Sequence, residues 1–112
     1  MEHTLWQAFD SLDIRVGEII EAKVLEKARK PAYQLWIDFG DTLGIRKSSA
    51  QITKLYSAEA LVGKQILAVV NFPPKQITHF MSECLVLGLL GEAEEVILIQ
   101  PDRKVKNGLR LR

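Results

Sequence analysis

The sequence is poor in the residues that build metal and nucleophile sites. It has one cysteine, Cys84, and two histidines, His3 and His79. One cysteine permits no internal disulfide, which fits a reducing compartment. These scattered ligands are too few for a zinc site, and the chain lacks the glycine patterns of Walker and Rossmann nucleotide sites. We therefore expect no bound metal or cofactor.

Long hydrophobic runs and a strong net charge are also missing. No stretch is long and apolar enough to cross a bilayer, and Met1-Glu2-His3-Thr4 lacks the cationic and apolar regions of a signal peptide. We therefore expect a cytoplasmic protein that does not insert into membranes. The formal net charge of +1 excludes a strongly basic, histone-like binder. Cations segregated on one face can still bind nucleic acid.

The composition is that of a folded chain, with 47% hydrophobic and 26% charged residues. Its 112 residues suffice for one domain and are too few for two well-cored ones. Alternation of apolar and polar residues predicts strands over residues 14–24, 33–39, 43–48, 65–70, 84–90 and 96–99. Gly17 predicts a bulge in the first strand, and Gly40-Asp41 a hairpin before the third.

Helical patterns are short and few. Thr4 can cap a helix over residues 5–9, and residues 52–61 predict a helix in two pieces that ends at Gly63. Three strands, a helix and then more strands is the order of an OB-fold, a five-stranded Greek-key barrel with a helix between strands three and four. We therefore predict an all-β, single-domain protein over residues 1–112, with an N-terminal helix and a C-terminal strand outside the barrel.

Both extensions carry apolar side chains that a lone barrel would leave exposed. They are Trp6, Phe9, Leu109 and Leu111. An exposed apolar patch indicates a partner surface.

The strongest candidate for a binding surface is Asn71-Phe72-Pro73-Pro74-Lys75, which follows an apolar strand. Proline lacks an N–H and stops sheet pairing, so a rigid loop presents an amide, a ring and a cation. Phe72 can stack on a base and Lys75 can meet a phosphate. The alternatives stay open that Asn71 only closes the turn on its own backbone, and that Lys75 is only solvated.

Two further segments supply the other candidate ligand-binding residues: Arg46, Lys47, Ser48 and Ser49 at the end of strand three, and Phe80, Met81 and Ser82 after the proline loop. Cations there can contact phosphate, and the hydroxyls can bond phosphate or a peptide backbone. Apolar side chains can hold a base or a peptide side chain. Alternatively, one serine of the first segment caps the following helix, and Phe80 folds back into the barrel.

An enzyme is the remaining alternative, and the residues argue against it. Cys84 and His79 could form a nucleophile pair, but Cys84 begins an apolar strand, so we expect a buried thiol. Glu94 and Glu95 fit a solvated turn better than an acid–base pair. We predict a protein that is not an enzyme.

The sequence resembles the tRNA-binding OB-domain family over most of its length. Residues 12–19, Leu-Asp-Ile-Arg-Val-Gly-Glu-Ile, are similar to the family's opening motif, and the Asn-Phe-Pro-Pro-Lys loop and Ser82-Glu83 are similar to later ones. Residues 47–52 and 80–83 resemble the CsaA branch of small, export-related chaperones. The resemblance implies a homodimer that acts as a chaperone for secretory precursor polypeptides and can also bind tRNA. The alternative is a dedicated, structure-specific tRNA-binding factor.

Overall fold

The computed structural model of the chain describes residues 4–112, so His3 and the start of the sequence lie outside the described residues. The helices are Leu5–Asp10 (α1), Gly40–Leu43 (α2) and Ala58–Leu61 (α3). The strands are Ile14–Val24 (β1), Tyr33–Asp38 (β2), Ile45–Ala50 (β3), Gln65–Val69 (β4), Lys75–Ile77 (β5), Phe80–Ser82 (β6), Leu85–Val86 (β7), Gly88–Leu90 (β8) and Val96–Leu98 (β9).

Five strands form one antiparallel sheet that curls into a nearly closed barrel. Their order is β3-β2-β1-β4-β7, and α3 lies between β3 and β4 in sequence. The two outer strands approach each other because the chain just before β7 is tied to β3: the Glu83 N–H donates to the Lys47 carbonyl at 2.7 Å. The predicted OB-fold-like architecture is confirmed. Two hairpins, β5-β6 and β8-β9, stand outside the five-stranded sheet.

The barrel interior is filled by alternate side chains of the strands, as the period of two requires. Ile19, Leu35 and Ile37 have no exposed surface. The predicted alternation of β2 is confirmed, since its odd-numbered residues from Tyr33 to Ile37 are buried and the residues between them are only half-buried.

The predicted bulge of β1 is wrong in its position. Pairing with β2 shifts register between Ile19 and Glu21, so the extra residue is Ile20. Ile19 is fully buried and Ile20 is 40% exposed. Gly17 is needed for a different reason, because a Cβ there would lie 2.5 Å from Ile37 Cγ2 and 2.6 Å from Phe39 Cε1.

The second helical prediction is only partly correct. Of residues 52–61, only Ala58–Leu61 is helical, and the Ser57 hydroxyl caps it by accepting from the Ala60 N–H. The turn before it is held because the Tyr33 hydroxyl donates to the Tyr56 carbonyl at 2.7 Å. The predicted hairpin into the third strand is confirmed, since β2 and β3 pair antiparallel from Tyr33 with Ala50 to Asp38 with Ile45, and residues 40–43 form a helical turn in its loop. The predicted strand over residues 84–90 is divided into β7 and β8.

The two terminal extensions lie beside the start of β1. Thr4 caps α1 as predicted, with its hydroxyl accepting from the Gln7 N–H. The C-terminal segment pairs with β1 through the Val16 N–H to the Leu109 carbonyl, 2.9 Å, and the Leu111 N–H to the Ile14 carbonyl, 2.8 Å. It forms a single bridge, at Arg110, instead of the predicted strand. None of the helices within residues 4–112 has the length and apolar character needed to cross a bilayer.

Candidate ligand-binding groove

A groove of about 400 Å³ opens where the barrel is not closed, between the end of β3 and the strand β7. The proline loop and β5 form its outer wall. We call it the seam groove, and it is lined by Ser49, Ala50, Gln51, Ile52, Phe72, Pro73, Lys75, Ile77, Ser82, Cys84, Leu85, Val86 and Val96.

Four of the ten candidate residues line this groove together. They are Ser49, Phe72, Lys75 and Ser82. Phe72 is 44% exposed, so its ring is available to a ligand. The sequence motif therefore places an aromatic ring and a cation on one wall, and the end of β3 supplies the opposite wall.

Asn71 uses its side chain inside the protein. Its Nδ2 donates to the Ser11 carbonyl at 2.8 Å, and its Oδ1 accepts from the Asp13 N–H at 2.9 Å. The amide thus fastens the proline loop to the segment before β1. The alternative that Asn71 closes the turn on its own backbone is therefore wrong, because the amide bonds a distant stretch of backbone.

The two cations of β3 are also engaged. The Arg46 guanidinium donates to the Val70 carbonyl at 2.7 Å, which fixes the end of β4 just before the proline loop. The Lys47 ammonium lies 5.3 Å from the centre of the Phe80 ring. Such a cation–π contact is favourable by roughly 0.5–1 kcal/mol at an exposed site.

Ser48 does not fit the predicted contact with a ligand. It has no exposed surface, and its hydroxyl donates to the Cys84 carbonyl at 3.1 Å. Ser82 is also buried, and its hydroxyl accepts from the Ser49 N–H at 3.1 Å. Neither serine of β3 caps the next helix, since Ser57 does so. The hydrogen bonds of these two hydroxyls join β3 to the segment that precedes β7.

Phe80 is buried, but in a second cluster and not in the barrel core that the alternative had supposed. It is 5% exposed and forms a small second core with Leu25 and Ala32. Its ring meets Trp36 edge to face at a centroid distance of 5.8 Å. Met81, on the opposite face of β6, is 38% exposed and lies outside the lining of the groove.

Cys84 is a buried thiol, as expected. Burial raises the pKa of Cys84 from 9.0 to about 12, although the positive charge of Arg46 opposes the shift. A thiol with such a pKa is protonated at neutral pH and is a poor nucleophile. Within residues 4–112, no three side chains of His, Cys, Asp or Glu lie close enough to hold a metal ion.

Sequence reasoning missed the apolar floor and the far wall of the seam groove. Gln51, Ile52, Val86 and Val96 come from three separate segments, and no motif connects them. A second depression of about 400 Å³ adjoins the groove, since Ser49, Gln51 and Ile77 line both. It carries Arg29 and Lys30 of the basic turn after β1. The cations of that turn were the one feature of the sequence that could have indicated this depression.

Comparison with known proteins gives one family model that matches residues 14–110, described as "Putative tRNA binding domain". The methionine–tRNA ligase of Thermococcus kodakarensis is 34% identical over 112 residues, and the chain spans 15% of the length of that protein.

Two crystal structures named as chaperone CsaA cover nearly the whole chain. The one from Bacillus anthracis is 48% identical with a TM-score of 0.91, and covers 99% of this chain and 100% of its own. The one from Picrophilus torridus is 46% identical with a TM-score of 0.92, and covers 98% of this chain and 100% of its own. The chain therefore belongs to the tRNA-binding-domain family, in its CsaA branch.

Proposed function

We propose that this protein is a non-enzymatic, cytoplasmic chaperone that captures unfolded segments of secretory precursor polypeptides in the seam groove, and that it also binds tRNA. The observation that carries the proposal is the lining of the groove. Among the described residues that line it, Lys75 alone is charged, and most of the others are apolar. Burial of apolar surface contributes about 25 cal/mol per Å², so such a groove favours apolar segments of unfolded chains.

The similarity to proteins named chaperone CsaA supports the first activity. The family description and the match to methionine–tRNA ligases support the second. The raised pKa of Cys84 supports a role without catalysis, because the one thiol of the chain is not activated.

A homodimer is part of the proposal. Leu5 and Trp6 are 89% and 79% exposed on α1. Trp6 and Phe9 line a common depression with Leu111 of the C-terminal segment, so the two extensions form one apolar surface. Closed two-fold contacts are the commonest way in which identical chains cover such a surface. Two grooves in one dimer would bind two segments of the same unfolded chain with added avidity.

The second candidate function is a dedicated, structure-specific tRNA-binding factor. The observation that favours it is the depression beside the groove, where Arg29 and Lys30 lie close to Gln76 and Thr78. Cations and polar side chains along one path are what a phosphate backbone requires. The apolar groove itself offers RNA one ring, Phe72, and one cation, Lys75.

Competition between labelled tRNA and an unfolded precursor on the purified protein tests the proposal. The chaperone function requires a precursor complex that survives high salt and is weakened by Phe72→Ala more than by Lys75→Ala, because apolar burial is little affected by screening. Leu55→Ala and Lys104→Ala are the matched controls, since both side chains are exposed outside the groove. A protein that binds tRNA and no precursor is a tRNA factor.

A further inference from the structure

The seam groove lies between two strand edges that are not paired with each other. β3 and β7 are the outer strands of the five-stranded sheet, and no ladder joins them within the described residues. An unpaired edge presents a row of main-chain N–H and C=O groups that can pair with another chain.

The edge of β7 is free at Val86. Residues of β7 face β4 in the register Val69 with Leu85 and Ala68 with Val86, and the Leu87 N–H donates to the Leu67 carbonyl. Hydrogen-bonded and non-bonded pairs alternate along antiparallel strands. Val86 is therefore in a non-bonded pair, and its own N–H and C=O point away from β4, toward the seam groove.

The edge of β3 is capped at its start and free at its end. The N–H groups of Lys47 and Ser49 both point away from β2, and they donate to the side chains of Glu83 and Ser82. Gln51 follows Ala50, the last residue of β3, and the alternation continued by one residue directs its N–H toward the groove, which Gln51 lines. The Ser82 and Glu83 side chains occupy the bonding positions at one end of the seam, which leaves Gln51 and Val86 as the positions for an incoming strand.

We propose that an unfolded polypeptide binds in the seam groove as an added β-strand, hydrogen-bonded through its main chain to Val86 and Gln51; this rests on the proposed chaperone function. The groove offers RNA few partners, because Arg46 is bonded to Val70 and Lys47 lies on Phe80. The main chain of a peptide matches the free N–H and C=O groups directly. This is the β-augmentation mode of peptide recognition.

Strand addition defines the segments that the groove accepts. Every second side chain of an added strand points to one face, and the apolar lining includes Ile52, Val86 and Val96. The groove therefore accepts segments with apolar residues at alternate positions. Hydrogen bonds to the main chain are the same for all non-proline residues. Peptides that share the alternating apolar pattern should therefore bind with similar affinity, whichever apolar residues they carry.

Amide hydrogen exchange on the full chain tests the proposal, with a short peptide of alternating valine and threonine and a lysine at each end as the probe. Bound peptide should slow exchange of the Val86 and Gln51 amides by about ten-fold or more, since a hydrogen-bonded amide exchanges only on opening. The Arg103 amide, outside the groove, is the control. Replacing single peptide N–H groups by ester oxygens should weaken binding by about five-fold or more at the positions that face the two edges.

A variant provides an independent measurement. Val86→Pro removes the free N–H and costs β7 no ladder bond, so it should lower peptide affinity about ten-fold or more. Val86→Ala keeps the N–H and is the matched control, for which only a smaller, apolar loss is expected.

Each outcome decides the proposal. Peptide that binds without slowing the Val86 amide overturns strand addition and leaves the chaperone function standing. Failure of the peptide and of unfolded precursors to bind, while tRNA binds, overturns both. Protection of Val86 that appears without peptide and grows with protein concentration means that a second copy of this chain occupies the seam, and this also overturns the proposal.

Discussion

The Lys47 ammonium lies 5.3 Å from the centre of the Phe80 ring, so two residues that the sequence offered to a ligand are engaged with each other. Phe80 in turn joins β6 to β2 through Trp36. This pair sets the position of the β5-β6 hairpin, which forms one wall of the seam groove through Lys75 and Ile77. Substitutions at Phe80 should therefore lower the stability of the protein, and should affect ligand binding only indirectly, through the position of this hairpin.

Phe80→Ala should destabilise the protein by about 3 kcal/mol, at the lower end of the usual cost of removing a buried ring, because the second core is small. Met81→Ala is the matched control, with a side chain on the exposed face of the same strand, and should cost well under half as much. Urea unfolding of both variants measures the difference. Equal midpoints for the two variants would contradict the buried role of Phe80.

Gly17→Ala should destabilise the barrel by about 1–3 kcal/mol, the usual cost of overpacking a core. The new methyl group would be 2.5 Å from Ile37 Cγ2, and Ile37 has no exposed surface into which it could move. Thermal or urea unfolding checks this. An unchanged unfolding midpoint would contradict this, since it would mean that β1 and β2 can move apart at Gly17 without loss of stability.

Raising the pH should destabilise the protein through Cys84. Its folded pKa is raised from 9.0 to about 12 by burial, so the stabilisation is complete below pH 9 and is lost as the pH rises toward 12. The reason is that only the unfolded chain releases the proton in this range. The measurement is the unfolding free energy against pH, compared with Cys84→Ala. Parallel curves for the two proteins, or fast alkylation of the native thiol at neutral pH, would contradict it.

Lys75→Ala should flatten the salt dependence of tRNA binding. Each lost phosphate contact reduces the slope of log K against log salt by about 0.7–0.9. Arg46→Ala should reduce the slope less than Lys75→Ala, because its guanidinium is bonded to the Val70 carbonyl. Filter binding at several salt concentrations, with Lys104→Ala as control, measures both. Unchanged slopes in the two variants would remove the phosphate role.

Trp6→Ser should weaken a homodimer while leaving the barrel intact, because the indole is 79% exposed on α1. Deleting residues from 107 onward is a poorer test, since it also removes the main-chain bonds of the C-terminal segment to Val16 and Ile14. Sedimentation velocity of both proteins gives the masses. A monomer at micromolar concentration in the unaltered protein would reject the dimer.

The features that a local sequence pattern controls were predicted correctly. The alternation of β2 and the capping of α1 by Thr4 are set by neighbouring residues, and both are confirmed. The extra residue of β1 was misplaced because a bulge is decided by pairing with β2. The burial of Phe80 depends on Leu25 and Ala32, which lie far away in sequence.

The free edges at Val86 and Gln51 could not be predicted at all. They are properties of the main chain, and side-chain identity does not encode which way a peptide group points. Their direction follows only from the register of β7 on β4 and of β3 on β2.

The pairing of the C-terminal segment with β1 also affects how the protein matures. Arg15 donates a hydrogen bond to the carbonyl of Gly108, 93 positions away, and the Val16 N–H reaches Leu109. On the ribosome, the beginning of β1 stays without this partner until residue 109 has emerged. Pairing between such distant residues slows folding. A protein proposed to bind other unfolded chains thus has an unpaired strand segment of its own until residue 109 is available.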